Sequence, residues 1–465
     1  MTYITIDSRE CGAGKTHGIG GIMDRIYENL SNNQKTIVSL PSIILMDEYK
    51  KKLHQAICIR SDVNDNVQKE LHYAMNANAS LIIITHKAFL DSEIPYSMRE
   101  QYDLIIDEAI DPWKIHMIEQ DKDDEVFDWN KFITKEKPLD EEDYTTVSFD
   151  GILTNSITRD SAILRNLTGY NWVNYAREDG LELLLKKERT RLNIISELDP
   201  MILTDWKSVH IAAAYFTKTF MFWWMRKHNI KFNEVNKFTP HKWMLKLHYP
   251  ENGNGGWTWS RNKKSTMDWL QNAFYQYANE KIGNNKALRL KNKIDRAGMF
   301  EDEINLPHNT AGMNEWSKYK YVVLESSLNA NPEMDKWYRQ IIKDYLPDGT
   351  DVEQTIFAAR TGYTYYQTLM RSCLRNGEEA EVFVIDKRAV SEIVDYFQLT
   401  RQTEKNIIEW VTKPVITNVE KKKKPLTGKE RVQVNRLRKK YPEKYQGMTP
   451  REILTCNEKA KEVFR

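Results

Sequence analysis

The sequence predicts an α/β protein with two parallel sheets in tandem, on three observations. Short, nearly continuous apolar runs alternate with helix-length segments over the first hundred residues. The same alternation resumes near residue 209 and continues to about residue 385. The stretch between about 111 and 200 has a different, acidic composition. Apolar strands with no polar face, separated by helices, read as a parallel sheet covered on both sides.

Each element follows from its own pattern. Residues 3–6 read as a short strand, followed by a glycine loop and a helical pattern through Ile22, Ile26 and Leu30. Residues 36–40 form a second strand that leads into a helix over 45–53. Residues 81–85 and 104–106 are the third and fourth strands. From about 111 to 200 come Asp121, Asp123, Asp124, Glu125 and the run 140–143, then a helical, basic stretch at 183–191. This stretch reads as an insertion into the first sheet, which closes at 209–212. A second α/β unit has strands near 243–247, 287–290, 321–324, 355–357 and 382–385, interrupted by the glycine-rich loop 252–256. The expected division is a first domain over 1–232, a second over 233–400, and a basic C-terminal extension over 401–465.

Bulk properties agree. A chain of 465 residues is too long for one compact core. No apolar run approaches the roughly 18 residues that cross a bilayer, so no membrane partner is expected. The start of the chain lacks a basic segment followed by an apolar one, so no signal peptide is expected. Cys11, Cys58, Cys373 and Cys456 are scattered, without metal-ligand spacing or disulfide density, which fits a reducing, cytoplasmic compartment. The net charge of +2 hides an asymmetry: residues 421–465 carry fifteen Lys and Arg against five Glu, a balance of +10, which leaves −8 for the rest. Such polarity points to a basic arm facing a polyanion.

The glycine loop Cys11-Gly12-Ala13-Gly14-Lys15-Thr16 follows a strand and is expected to open a helix, as a phosphate-binding loop does. Glycines let backbone amides wrap the phosphates, with Ala13 between them contributing its own amide. The helix N-terminus adds positive potential, Lys15 reaches the β- and γ-phosphates, and the Thr16 hydroxyl ligates magnesium. The full pattern wants a glycine at position 9, where this chain has Arg9. Its partner is the strand ending in Asp107-Glu108, whose carboxylates reach the carboxyl edge of the sheet, where such sheets bind ligands. Asp107 is expected to hold the magnesium ion and Glu108 to activate the attacking water. ATP and Mg2+ are therefore the expected cofactors.

With these two motifs in place, the chain resembles the superfamily 2, DEAD-like helicases, of the compact type carried by tailed bacteriophages. Four further segments carry the resemblance. Ser39-Leu40-Pro41-Ser42 and Thr85-His86-Lys87 look like the family's backbone-contacting motifs, which makes Pro41, Ser42, Thr85 and His86 candidates for nucleic-acid contact. Thr310-Ala311-Gly312-Met313-Asn314 resembles the T-x-G-x-N pattern, with Thr310 on the strand and Gly312 and Asn314 on the nucleotide. Gln367 through Arg375 looks like the last motif, in which Gln367, Arg371 and Arg375 reach across the cleft. Arg371 and Arg375 are four residues apart where the family has three, a spacing that on a helix still shares one face. The motif that should read Ser/Thr-Ala-Thr is Ala212-Ala213-Ala214, without the hydroxyls that the family uses to link hydrolysis to strand separation.

The resemblance implies two tandem RecA-like parallel-sheet domains with ATP between them, and ATP hydrolysis coupled to nucleic-acid translocation or unwinding in replication or recombination. The host cytoplasm is the implied location if the chain is phage-encoded. Single-stranded or forked DNA is the expected track ahead of RNA, and the insertion or the extension could meet a replication protein. Two further surfaces suit a track: Trp257 and Trp259 among cations, since aromatic faces stack bases, and the tail residues Arg436, Arg438 and Lys439. Trp223 and Trp224 read as core. His86, His210 and His308 lack ligand spacing, so no metal beyond magnesium is expected. A DNA-packaging ATPase shares the two nucleotide motifs but would need a nuclease domain with clustered carboxylates. A scaffold that binds ATP without turnover is kept open by the three alanines.

Overall fold

The computed structural model describes residues 2–60, 66–119, 133–138, 144–149, 167, 171–186, 191–236, 245–250, 268–292, 300, 302–307, 315–326, 328, 332–347, 349–397, 407–410 and 434–435. By internal contacts the chain forms two compact units, Met1–Thr412 and Lys413–Arg465. All the architecture below lies in the first. Trp257, Trp259, Thr310, Gly312, Asn314, Arg436, Arg438 and Lys439 lie outside the described residues.

The first lobe runs β1 (Ile4–Asp7), α1 (Ile22–Ser31), β2 (Lys35–Leu40), α2 (Ile43–Lys52), β3 (Ile57–Ile59), α3 (Val67–Asn76), β4 (Leu81–Thr85), α4 (His86–Leu90), α5 (Tyr96–Arg99) and β5 (Tyr102–Asp107). The chain then leaves for β6 (Trp113–Glu119), β7 (Ile133–Pro138), β8 (Tyr144–Phe149), β9 (Trp172–Arg177), α6 (Glu178–Leu185) and β10 (Arg191–Leu198). It returns as β11 (Ser208–Ala212), α7 (Phe220–Lys227) and β12 (Asn233–Asn236). The first sheet is parallel throughout, in the order β12-β1-β11-β5-β2-β4-β3. Alternate residues feed opposite faces: Ile37, Ile82 and Leu104 join one apolar cluster, Val38, Ile83 and Ile105 the other. The insertion folds as a separate antiparallel sheet, β6-β10-β9-β8-β7.

The second lobe runs β13 (Leu245–Pro250), α8 (Asp268–Ile282), β14 (Ala287–Leu290), β15 (Glu303–Asn305), β16 (Tyr321–Leu324), α9 (Pro332–Lys343), α10 (Val352–Phe357), α11 (Tyr363–Leu369), β17 (Ala380–Val384), α12 (Lys387–Tyr396) and β18 (Ile407–Trp410). Its sheet is also parallel, in the order β15-β14-β16-β17-β13-β18. The fold is α/β with two parallel sheets and an insertion in the first. Among the described residues, no helix is long and apolar enough to cross a membrane.

The structure corrects three sequence expectations. Residues 355–357 are not a strand but the end of α10. Asp351 caps that helix, its carboxylate accepting from the amides of Glu353 and Gln354 at 2.8 and 3.3 Å. A short run such as Thr355-Ile356-Phe357 has the same appearance in a helix as in a strand, and the cap decides. Of the stretch at 183–191, residues 183–185 end α6 and Arg191 begins β10, while 187–190 lie outside the described residues. Most consequential, the phosphate loop does not open directly into a helix: α1 begins only at Ile22. The intervening segment holds Gly18, Gly20 and Gly21, poor helix formers. The amides of Ile22 and Met23 donate to the carbonyls of Lys15 and Thr16, at 2.7 and 2.9 Å, so the helix N-terminus is spent on the loop itself.

The insertion is bound to the second lobe by aromatic packing. Trp337 of α9 is fully buried, with ring centroids of Tyr144 and Tyr175 each at 5.0 Å. Tyr338 stacks on Phe220 of α7 at 4.2 Å and meets Trp113 edge-on at 5.7 Å. Trp223 and Trp224 lie in the same core, as the sequence suggested.

His210 stands in the middle of the first sheet, its Nδ1 2.8 Å from the Thr5 hydroxyl. Burial pushes its imidazole down to about 3. The unfolded chain takes up this proton near pH 6.5. The resulting stability is therefore complete above about pH 6.5 and is lost as pH falls toward 3, by about 1.4 kcal/mol per pH unit. Urea midpoints are expected to fall between pH 7 and pH 5, with a shallower slope in His210→Asn. Identical slopes in the two proteins would show that His210 is protonated in the fold.

Candidate nucleotide site

β1 and β5 are separated only by β11, so the loop after β1 and the acidic pair after β5 meet at one edge of the sheet. Between them is a cavity of about 200 Å3 lined by Cys11, Gly12, Gly14, Lys15, Thr16, His17, Leu45, Glu48, Asp107, Glu108, Arg371 and Arg375. The structure thus brings together the first lobe's candidates Gly12, Gly14, Lys15, Thr16, Asp107 and Glu108 with the second lobe's Arg371 and Arg375. Ala13, in the same loop, sends its amide to the Glu10 carbonyl at 3.2 Å.

The loop is tight, and its lysine is held by the loop's own carbonyls. Gly14 has φ +82°, and a Cβ there would stand 2.9 Å from the Gly18 Cα, so only glycine fits. Lys15 is buried, its Nζ donating to the carbonyls of Arg9 and Glu10 at 3.0 Å each. Position 9 has no need of glycine, since its φ is not positive. Instead the Arg9 guanidinium is paired with Asp7, Nη2 to Oδ2 at 2.6 Å, and holds that carboxyl below its ordinary range against the opposing effect of burial.

The acidic pair is under electrostatic load. Burial, reinforced by the neighbouring Glu108, pushes Asp107 up to about 7. The Tyr49 hydroxyl donates to its Oδ2 at 3.2 Å. Glu108 is a non-glycine residue at φ +77°, a conformation that clusters at functional sites. Its amide donates to the Ala212 carbonyl at 2.9 Å. Its Oε2 accepts from the Tyr363 hydroxyl at 3.0 Å and from Gln367 Nε2 at 3.2 Å. The other end of the Gln367 amide accepts from the Cys11 thiol at 3.2 Å.

Arg371 and Arg375 do not share an α-helical face, contrary to expectation. Helix α11 ends at Leu369, Arg371 lies in the following turn, and Arg375 lies in a 3-10 turn over Cys373–Asn376. The turn nevertheless presents both to the cavity. Burial and the nearby Arg371 charge depress Arg375 below its usual value.

A second cavity, of about 580 Å3, shares Glu108 with the first. Pro41, His86, Lys87, Lys114, Phe220, Arg360, Tyr363, Thr364 and Gln367 are among its walls. Of the candidates for nucleic-acid contact, Pro41 and His86 therefore face an open space. Ser42 and Thr85 serve here as helix caps, accepting from the amides of Leu45 at 3.3 Å and Ala88 at 3.2 Å. His86 has Nδ1 2.7 Å from the Ser39 hydroxyl, and burial pushes it down to about 4. It is a neutral group at physiological pH.

Sequence reasoning missed Tyr49, Glu48, His17 and Tyr363. Tyr49 had a signal, since it lies on the buried face of α2 with Leu45 and Met46. Tyr363 is four residues before Gln367, one helical turn away on the same face.

No family model matches the sequence, and no curated protein matches it. Among solved structures, the chain is similar to Xpd4 of S. tokodaii, with a TM-score of 0.48 and 11% identity over 88% of this chain and 96% of that one. It is also similar to the DUF1998 helicase MrfA bound to DNA and AMPPNP, with a TM-score of 0.32 and 12% identity over 86% of this chain and 48% of that one.

Proposed function

We propose that this chain is an ATP-driven nucleic-acid translocase or helicase. The observation that carries the reading is the shared cavity: a glycine loop with Lys15 and Thr16, an acidic pair, and two arginines from a second lobe line one space. Glycine loops cradle phosphates, and cations from across a cleft stabilise the charge on a transferring phosphoryl group. Lys15 would exchange its two carbonyl partners for phosphate oxygens. Glu108 would take a proton from water as the water oxygen bonds to the γ-phosphorus and the bond to the bridging oxygen breaks, leaving ADP and phosphate.

Magnesium fits the residues present. Thr16 and Asp107 are hard oxygen donors lining the same cavity, and a divalent cation there would offset the burial and the Glu108 charge that push Asp107 up. Among the described residues no cluster of three His, Cys, Asp or Glu could hold a metal. That suits an ion bound by one carboxylate and the nucleotide phosphates, which it would neutralise.

For the track, support comes from the second cavity, with the cations Lys87, Lys114 and Arg360 against the acids Glu108 and Asp111. Polynucleotide backbones are bound by such cations. We further propose single-stranded or forked DNA ahead of RNA, a bacteriophage-type helicase acting in replication or recombination, and a protein partner at the insertion or the extension. These finer assignments rest on the motif resemblance.

Steady-state ATPase measured alone and with single-stranded DNA, single-stranded RNA or duplex tests the reading. Stimulation by at least one is expected. Nucleotide binding without turnover under every condition would favour the scaffold alternative.

A further inference from the structure

In this chain the residues at the end of β11 that would link the acidic pair to the nucleic-acid side are Ala212, Ala213 and Ala214, all fully buried. A methyl group relays no hydrogen bond. The Glu108 carboxylate is linked elsewhere. Its Oε2 accepts from both Tyr363 and Gln367, and Gln367 Nε2 also donates to the Tyr363 oxygen at 3.0 Å. The three side chains form a closed set, two of them from the second lobe.

Two features of the fold give this set a direction. Glu108 lines both cavities, whereas Tyr363, Thr364 and Gln367 line only the second. Helices α10 and α11 are joined by a π-helical turn over Ala358–Gly362, which ends immediately before Tyr363. Such turns are rare and concentrate at functional sites, and the extra residue rotates everything after it. The rotation is locked by packing: a Cβ on Gly362 would come within 2.7 Å of the Tyr396 ring. The irregular turn therefore sets the phase at which Tyr363 and Gln367, one turn apart, reach Glu108.

We infer that Tyr363 is a positioning residue that withholds Glu108 from catalysis until a polynucleotide occupies the second cavity. Two donors on Oε2 stabilise the charged carboxylate and fix its orientation, which makes Glu108 a weaker base toward water. A strand seated against Tyr363 and Thr364 draws the hydroxyl away and releases the carboxylate. Occupancy of the track would thus reach the nucleotide through the second lobe rather than through the segment at the end of β11. This inference rests on the polynucleotide-motor reading.

The test is Tyr363→Phe, which keeps the ring and removes the donor. ATPase is measured alone and with saturating oligo(dT) and homopolymer RNA. Basal kcat is expected to rise about tenfold, as loss of one hydrogen bond to a charged group implies. KM for ATP should be unchanged and the stimulation ratio should shrink by the same factor. A structural role alone predicts the opposite, a fall in basal and stimulated rates together, and that outcome overturns the inference. So does a variant whose basal rate and stimulation match the wild type, while a stimulated wild type leaves the motor reading standing. A wild type without turnover on any polynucleotide removes the motor reading and this inference with it.

Discussion

Replacing Arg371 or Arg375 by alanine is expected to lower ATP turnover by about 10³-fold or more for at least one of the two, with a much smaller change in nucleotide affinity. The size follows from the role. An arginine that stabilises charge on a transferring phosphoryl group contributes about 10³–10⁵ in rate, equivalent to about 4–7 kcal/mol of barrier. An arginine that only pairs with a surface carboxylate contributes about 0–1 kcal/mol. The placement favours the larger figure. Arg371 is buried, both side chains line the cavity, and burial together with the repulsion from Arg371 depresses Arg375. A triphosphate would relieve that repulsion. The same argument predicts that neither single variant melts below the wild type by more than a small margin. Wild-type turnover in both variants would show that the second lobe does not complete the site.

Glu108→Gln is expected to keep nucleotide binding and lose about 10²–10⁴ in kcat, the usual contribution of a positioned general base. Glutamine has the same shape and can still accept from Tyr363 and Gln367, so the contacts between the lobes survive. Removing the Glu108 charge also removes one of the causes that push Asp107 up, which favours the ionised form needed for a cation. Nucleotide affinity in the presence of Mg2+ should therefore hold or tighten while turnover collapses. Single-turnover ATPase alongside equilibrium nucleotide binding measures both. Hydrolysis at the wild-type rate would mean that Glu108 does not activate the water.

The two results together reflect what was legible in the sequence. Runs such as Leu81–Thr85, Ala287–Leu290 and Tyr321–Leu324 spelled their strands residue for residue, because a strand buried on both faces admits little but apolar side chains. The phosphate loop and the acidic pair were legible because each follows a strand. The late start of α1 was not: pattern and propensity differ there, and the loop's own hydrogen bonds decide. The insertion was visible as a change of composition, but not as five strands, since half-polar runs such as Tyr144–Phe149 lack a buried-strand signature. The Tyr363–Glu108 contact joins residues 255 positions apart. No local pattern encodes it.

The aromatic seam between the insertion and α9 has a consequence for biosynthesis. Tyr144, Tyr175 and Trp113 emerge early in translation, but the rings that cover them, Trp337 and Tyr338, arrive only after most of the second lobe's strands. Chains are made at about 5–20 residues per second. Roughly 160 residues separate Tyr175 from Trp337, so the uncovered face waits about 8–30 s on the ribosome at those speeds. A nascent chain stalled before residue 332 should therefore present a sticky aromatic sheet and recruit chaperones. One stalled well beyond residue 343 should bury that sheet and resist proteolysis.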